Sequence, residues 1–301
     1  MLEDSPTRDT PLQAPVVLDF DRSVGALPGA TVIDLADWQE AIRFGCSLRR
    51  LREVRAVIER ALPAGHGTVF LGSGDYHHLS WPLIERCAAR GPFEVVVFDN
   101  HPDNMRFPFG VHCGSWVRRV ALLPFVAHVH VLGISSADVS AAHAWENYLM
   151  PLWRGKLSYW TVGVDTRWSA HVGLAHAFKS FDSPAALLAR FTDEQRASTL
   201  PVYLSIDKDV LSPEVARTNW DQGRLSDTDI VAVIDGLAGK LVGSDITGDI
   251  SAYRYRAWWK RKLSALDDQP EIDTAQLATW QTQQHALNLR LLERIEAAGK
   301  R

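Results

Sequence analysis

The stretch Glu94-Val95-Val96-Val97-Phe98-Asp99-Asn100-His101-Pro102-Asp103 decides how this chain is read. Its first half is an apolar run that suits a strand buried in a sheet. Its second half leaves that strand with two carboxylates and an imidazole at every other position. Side chains alternate along an extended segment, so Asp99, His101 and Asp103 can converge at the strand's carboxyl end. One imidazole with two carboxylates suits a divalent metal of borderline hardness. Without a counter-charge, stacking the two carboxylates would be electrostatically costly. A second run, Val202-Tyr203-Leu204-Ser205-Ile206-Asp207-Lys208-Asp209, repeats the arrangement. A lone Asp-x-Asp after a strand is more often a helix cap or a turn. Two such clusters at strand ends instead predict a dinuclear metal site.

Around these runs, strands alternate with helices. Strands are expected at Pro15–Phe20, Thr31–Leu35, Thr68–Leu71, His128–Ile134, Trp160–Val164 and Leu241–Ile246. Helical spacing of Ile42, Leu48, Leu51, Val54, Ile58 and Leu62 predicts one amphipathic helix from about Trp38 to Leu62, ended by Pro63 and Gly65. Further helices are expected near Ser80–Arg90, Ser115–Leu123, Pro184–Arg190 and Asp227–Gly236, and a long one from Glu271 to about Ala298. This alternation predicts a three-layer α/β/α fold with a mainly parallel central sheet. Residues 1–14, rich in Pro, Thr, Asp and Ser, read as a flexible tail, and 15–301 as a single domain ending in the C-terminal helix. Sites in open α/β sheets form beyond the carboxyl ends of strands, where the metal-type residues fall.

Composition narrows the partners. The 301 residues are 46% hydrophobic, enough for a sizeable core, and carry 32 basic against 36 acidic side chains. No basic stripe dominates, so no nucleic-acid partner is expected. No run of about 18 apolar residues occurs, so no membrane span is expected. The three cysteines, Cys46, Cys87 and Cys113, fit reduced thiols in a cytoplasmic protein better than a disulfide framework. The first fifteen residues carry no apolar signal region.

The two metal-type runs and the earlier segment Gly74-Asp75-Tyr76-His77 resemble, in order and separation, three motifs of the ureohydrolase superfamily, which includes arginase, agmatinase and formiminoglutamase. Those motifs are Gly-Gly-Asp-His, Asp-Ala-His-x-Asp and Ser-x-Asp-x-Asp-x-x-Asp-Pro. The last stands here as Ser205 to Pro213. The resemblance implies an arginase-like fold and two Mn²⁺ ions per chain, held by His77, Asp99, His101, Asp103, Asp207 and Asp209. A register shift of one would make His78 the ligand in place of His77. It also implies a small-molecule substrate and a homo-oligomer, trimers and hexamers being usual in such families.

Two divalent ions about 3.5–4 Å apart lower the pKa of a water between them, and the hydroxide so formed attacks an electrophilic carbon. By resemblance the reaction is hydrolysis of a non-peptide C–N bond in a guanidino, formimino or related amidine, with Asp103 hydrogen-bonding the nucleophile. His112, in Val111-His112-Cys113-Gly114, matches a histidine that shuttles protons or touches substrate, and its ordinary pKa suits that work. Two positions depart from the pattern. Ser212 stands for the last Asp of the third motif, and Gly248 stands where guanidine hydrolases place a Glu to grip the guanidinium. Asp249 is the expected substitute for that carboxylate, and Trp116 and Trp220 could supply an aromatic wall for a cation. Alternatives to the dinuclear hydrolase are a deacetylase-like amide hydrolase and a catalytically inactive metal-binding relative.

Overall fold

Nine parallel strands form the central sheet of the computed structural model, which describes residues 13–266 and 272–300. In chain order the strands are β1 (Val16–Asp19), β2 (Thr31–Asp34), β3 (Gly45–Cys46), β4 (Val69–Gly72), β5 (Phe93–Phe98), β6 (Val111–His112), β7 (Val126–Ile134), β8 (Leu157–Val162), β9 (Phe178–Phe181), β10 (Val202–Asp207) and β11 (Leu241–Thr247). All but β3 and β6, which pair with each other as an antiparallel ribbon, join the sheet in the order β2-β1-β4-β11-β10-β5-β7-β8-β9. The helices are α1 (Gln39–Ile42), α2 (Leu48–Ala61), α3 (Ser80–Arg86), α4 (Val117–Ala121), α5 (Met150–Trp153), α6 (Trp168–His171), α7 (Pro184–Ala197), α8 (Asp227–Gly236), α9 (Trp258–Leu266) and α10 (Leu277–Gly299). Except for residues 13 and 14, the tail expected at the N-terminus lies outside the described residues.

The apolar run of β5 is explained by cover on both sides. Val95 and Val97 pack with Leu51, Val54 and Ile58 of α2 and with Val117 and Val120 of α4. Val96 and Phe98 pack with Leu187 and Phe191 of α7, Ile230 and Ile234 of α8, and Leu287 and Leu291 of α10. Each such side chain is worth about 1.5–3 kcal/mol on burial. A slip of one residue would exchange the two sets, so the register is fixed firmly. That register places the ends of β4, β11, β10 and β5 side by side.

The helix expected from Trp38 to Leu62 is in fact two. Phe44 takes a left-handed φ of 68°, Gly45–Cys46 pairs with Val111–His112, and Ser47 then caps α2, its Oγ accepting from Arg50 N at 3.3 Å. The break is driven by Arg43, whose fully buried guanidinium pairs with Asp75 at 2.7 Å and Asp21 at 3.2 Å. Apolar spacing runs through this break unchanged and so conceals it. The C-terminal helix starts at Leu277 rather than near residue 271, behind the unforeseen α9, and α7 runs on to Ala197. Strand β9, also unforeseen, is an edge strand with only Phe178 fully inside.

α10 is fastened to the end of β10 through Lys208. This fully buried ammonium donates to Asp249 Oδ1 at 2.6 Å and to Gln284 Oε1 and Asn288 Oδ1 on α10, both at 2.9 Å. Removing one partner of a buried pair strands the other charge, at a cost of about 3–5 kcal/mol. Lys208→Met is expected to lose about that much stability in chemical denaturation, and Lys208→Met/Asp249→Leu to recover most of it.

Candidate metal centre

β4 ends at Gly72, and a tight turn from Gly74 to Leu79, capped by Ser73, swings His77 across the ends of β10 and β5. There it meets carboxylates from both strands. His77 Nδ1 lies 3.1 Å from Asp99 Oδ2, 2.9 Å from Asp103 Oδ2 and 3.4 Å from Asp207 Oδ2. His101 Nδ1 lies 3.0 Å from Asp209 Oδ2 and 3.5 Å from Asp99 Oδ1. Two sets of potential ligand atoms result, one of His77, Asp99 and Asp207 and one of Asp99, His101 and Asp209, with the atoms of each set within 4.8 Å of one another. Asp99 belongs to both.

Each imidazole turns Nδ1 to the carboxylates and is steadied through Nε2. His77 Nε2 is 3.0 Å from Ser205 Oγ, which donates to Asp245 Oδ1 at 2.7 Å. His101 Nε2 is 2.7 Å from Asp221 Oδ1. An outer acceptor of this kind fixes the tautomer and ring orientation of a metal-binding histidine. Asp103 sits in the left-handed region at φ 46° and is gripped by Trp116, whose Nε1 donates to Oδ2 at 2.6 Å.

The electrostatics call for a cation. Burial and the neighbouring Asp99 push Asp103 up to about 8 and Asp209 up to about 6. Burial and Asp209 likewise raise Asp207 well above the carboxylate range. Burial raises Asp99 too, but the close imidazoles of His101 and His77 outweigh it and hold Asp99 low. His77 Nδ1 and Asp99 Oδ2 are buried without a hydrogen-bond partner. Orphaned acceptors inside a dense carboxylate cluster, with imidazole nitrogens at its edge, fit divalent cations of borderline hardness.

All six ligand candidates from the sequence are thus brought together. Of the adjacent histidines, His77 faces the carboxylates, whereas His78 is fully buried with neither ring nitrogen hydrogen-bonded. His112 Nδ1 accepts from Gly114 N at 2.8 Å, and its ring packs against Phe107 and Phe44. Burial pushes its pKa down to about 3, so the ring is neutral. Two expectations about substrate contact need correction. Trp116 is completely buried, its ring 4.8 Å from that of His77, and it braces ligands from below rather than walling a pocket. Asp249 is equally buried, and its Oδ1 is held by Lys208 and Asn288, so the carboxylate is tied to β10 and α10 rather than facing an open pocket.

Nor does Gly248 leave room for the absent glutamate. It adopts φ +87°, and a Cβ there would lie 2.4 Å from Asp207 Oδ1 and 2.6 Å from Lys208 N. The aromatic neighbour of the cluster is Trp220, edge-on to His101 at 6.0 Å and stacked on Phe44 at 6.2 Å. Gly74 admits it: a Cβ there would be 3.3 Å from Trp220 Cδ1. Asp221 was not foreseen, since a single carboxylate in an irregular loop carries no period or motif.

The model described as the Arginase family matches residues 12–248, and the chain belongs to that family. It is 29% identical over 226 residues to an uncharacterized protein of Thermotoga maritima, covering 75% of this chain and 72% of that one. Among solved structures it is similar to the agmatine ureohydrolase of Thermoplasma volcanium, at 16% identity and a TM-score of 0.55, covering 96% of this chain and 90% of that one. It is also similar to the proclavaminate amidino hydrolase of Streptomyces clavuligerus, at 17% identity and a TM-score of 0.52, covering 95% and 93%. At these identities the likeness is one of fold.

Without cations, the folded chain holds protons at Asp103, Asp207, Asp209, His77 and His101 that the unfolded chain releases at lower pH. Stability must then fall as pH rises through those raised values. Chelated protein is expected to melt at progressively lower temperature from about pH 7 to about pH 9, above the range in which buried neutral histidines such as His112 act in the opposite direction. A divalent cation should raise the melting temperature more at the alkaline end than at the acid end. Differential scanning calorimetry checks both trends.

Proposed function

We propose that this chain is a hydrolase that uses two divalent cations, manganese being the expected pair, to cleave a non-peptide C–N bond in a small guanidino, formimino or related amidine. The observation that carries the reading is the sharing of Asp99 between two sets of closely spaced ligand atoms. His77, Asp99 and Asp207, with Asp103 beside them, would hold one cation, and Asp99, His101 and Asp209 the other. When bound, such a pair makes water nucleophilic near neutral pH and stabilises the charge that develops on the attacked group.

The remaining work falls to the chain's own groups. Asp103, fixed by Trp116, accepts a hydrogen bond from the attacking water and orients it. His112 accepts from Gly114 at Nδ1, so the proton of its neutral ring sits on Nε2, where it can donate a hydrogen bond to a substrate heteroatom. With Gly248 closed to any side chain, a cationic substrate is met by aromatic faces, Trp220 backed by Phe44 and Tyr255. Cation–π contact of this kind is worth about 0.5–2 kcal/mol, which is weaker and less directional than a carboxylate clamp. The preferred substrate is therefore not arginine or agmatine held in the usual way.

Metal analysis of protein prepared in manganese is expected to give close to two ions per chain. The loaded protein should release ammonia or urea from some member of a guanidino, formimino and amide panel. A single bound zinc ion would favour the deacetylase-like reading, and none the inactive one. His101→Ala and Asp207→Ala should each lower activity by more than the roughly 10–100-fold typical of losing an outer partner, with metal content falling in parallel. Gly248→Glu should not create guanidine hydrolysis. Its side chain displaces Asp207, so reduced metal content and a lower melting temperature are expected.

A further inference from the structure

We propose that Asp221 is the positioning residue of the second cation position: it holds His101 in the tautomer and orientation that Asp99 and Asp209 require. The inference rests on the two-cation reading above. Asp221 lies in the loop between β10 and α8, and its side chain is 66% exposed. An exposed ion pair ordinarily contributes little to stability. Here, however, both carboxylate oxygens are committed. Oδ1 faces His101 Nε2 at 2.7 Å, and Oδ2 accepts from Asn100 Nδ2 at 3.0 Å. The same Asn100 Nδ2 also reaches the Asp221 carbonyl at 3.2 Å, while Asn100 N donates to Asp209 Oδ1 at 3.0 Å. One buried asparagine therefore fixes a ligand of this position and the group that aims its histidine.

The loop is also anchored at both sides of Asp221. Asn219 Nδ2 donates to Ser251 O at 2.8 Å and its Oδ1 accepts from Ser251 N at 2.9 Å, while Gly223 N donates to Asp209 O at 2.6 Å. Asp221 is thus presented to His101 by a rigid frame. The two positions differ in this respect. His77 is backed by Ser205 and Asp245, both inaccessible to water, whereas His101 is backed by a carboxylate facing solvent. Ions in solution screen exposed pairs far more than buried ones. The His101 position is accordingly the one that salt and changes in the loop should weaken, while the His77 position keeps its affinity.

The test is a manganese titration of chelated full-length protein, with free ion followed by electron paramagnetic resonance. The wild-type chain is expected to take up two ions in resolvable steps. Asp221→Ala should weaken one step about 10–100-fold and leave the other unchanged. Asp221→Asn, which keeps an acceptor oxygen, should recover part of the loss, and Ser205→Ala should weaken the opposite step. The spectrum of the coupled ion pair should appear only at higher manganese in Asp221→Ala. Two unaltered steps in Asp221→Ala, or equal weakening of both, would overturn this assignment alone. Fewer than two ions in the wild-type chain would overturn it together with the two-cation reading.

Discussion

Like charges kept out of water are the constraint around which this molecule is arranged. Asp99, Asp103, Asp207 and Asp209 are buried together at the ends of β5 and β10, and burial with mutual repulsion raises three of them. A residue in the left-handed region costs about 1–3 kcal/mol, and Asp103 accepts that strain in order to reach the cluster. Against the roughly 5–15 kcal/mol that separates most folded domains from unfolding, such an arrangement is expensive. It persists because the frame over-determines it. Trp116 grips Asp103, Ser205 and Asp245 fix His77, and Asn100 ties Asp209 to the loop.

Family membership and the closed position at Gly248 are separate features of this frame. The sheet order sets the ends of β5 and β10 side by side and so brings the candidate ligands together in a chain of the Arginase family. Gly248 lies so close to Asp207 and Lys208 that any side chain there would collide with the ligand shell. Any carboxylate at that position is thus excluded by the backbone itself, and the aromatic surface of Trp220 and Phe44 lies near the candidate ligands.

The parts visible in the sequence were those whose physics is local or strongly periodic. β5 and β10 could be read because strands covered on both faces must be apolar throughout, and polar residues at their ends then stand out. Asp99, His101, Asp103, Asp207 and Asp209 stand out by that contrast, whereas His77 and the set of six as ligands come from the resemblance to ureohydrolase motifs. The division of α1 from α2 could not be read, because it depends on Arg43 meeting Asp21 and Asp75 across the fold. Asp249 was misjudged for a similar reason. Its neighbourhood in sequence suggests the substrate pocket, but its partner is Lys208, forty-one positions earlier in the chain. Asp221 is legible only once the loop is folded onto His101.

Lys208 has a further consequence for the end of the chain. The ammonium sits between two ligand candidates, Asp207 and Asp209, yet two of its three acceptors belong to α10. A chain shortened before Gln284 would leave that charge sealed in an apolar interior with Asp249 as its lone counterpart. The last helix therefore belongs to the ligand shell in an energetic sense, although it contributes no ligand. Damage to the carboxyl terminus would be felt first at the candidate ligands Asp207 and Asp209, some eighty residues upstream.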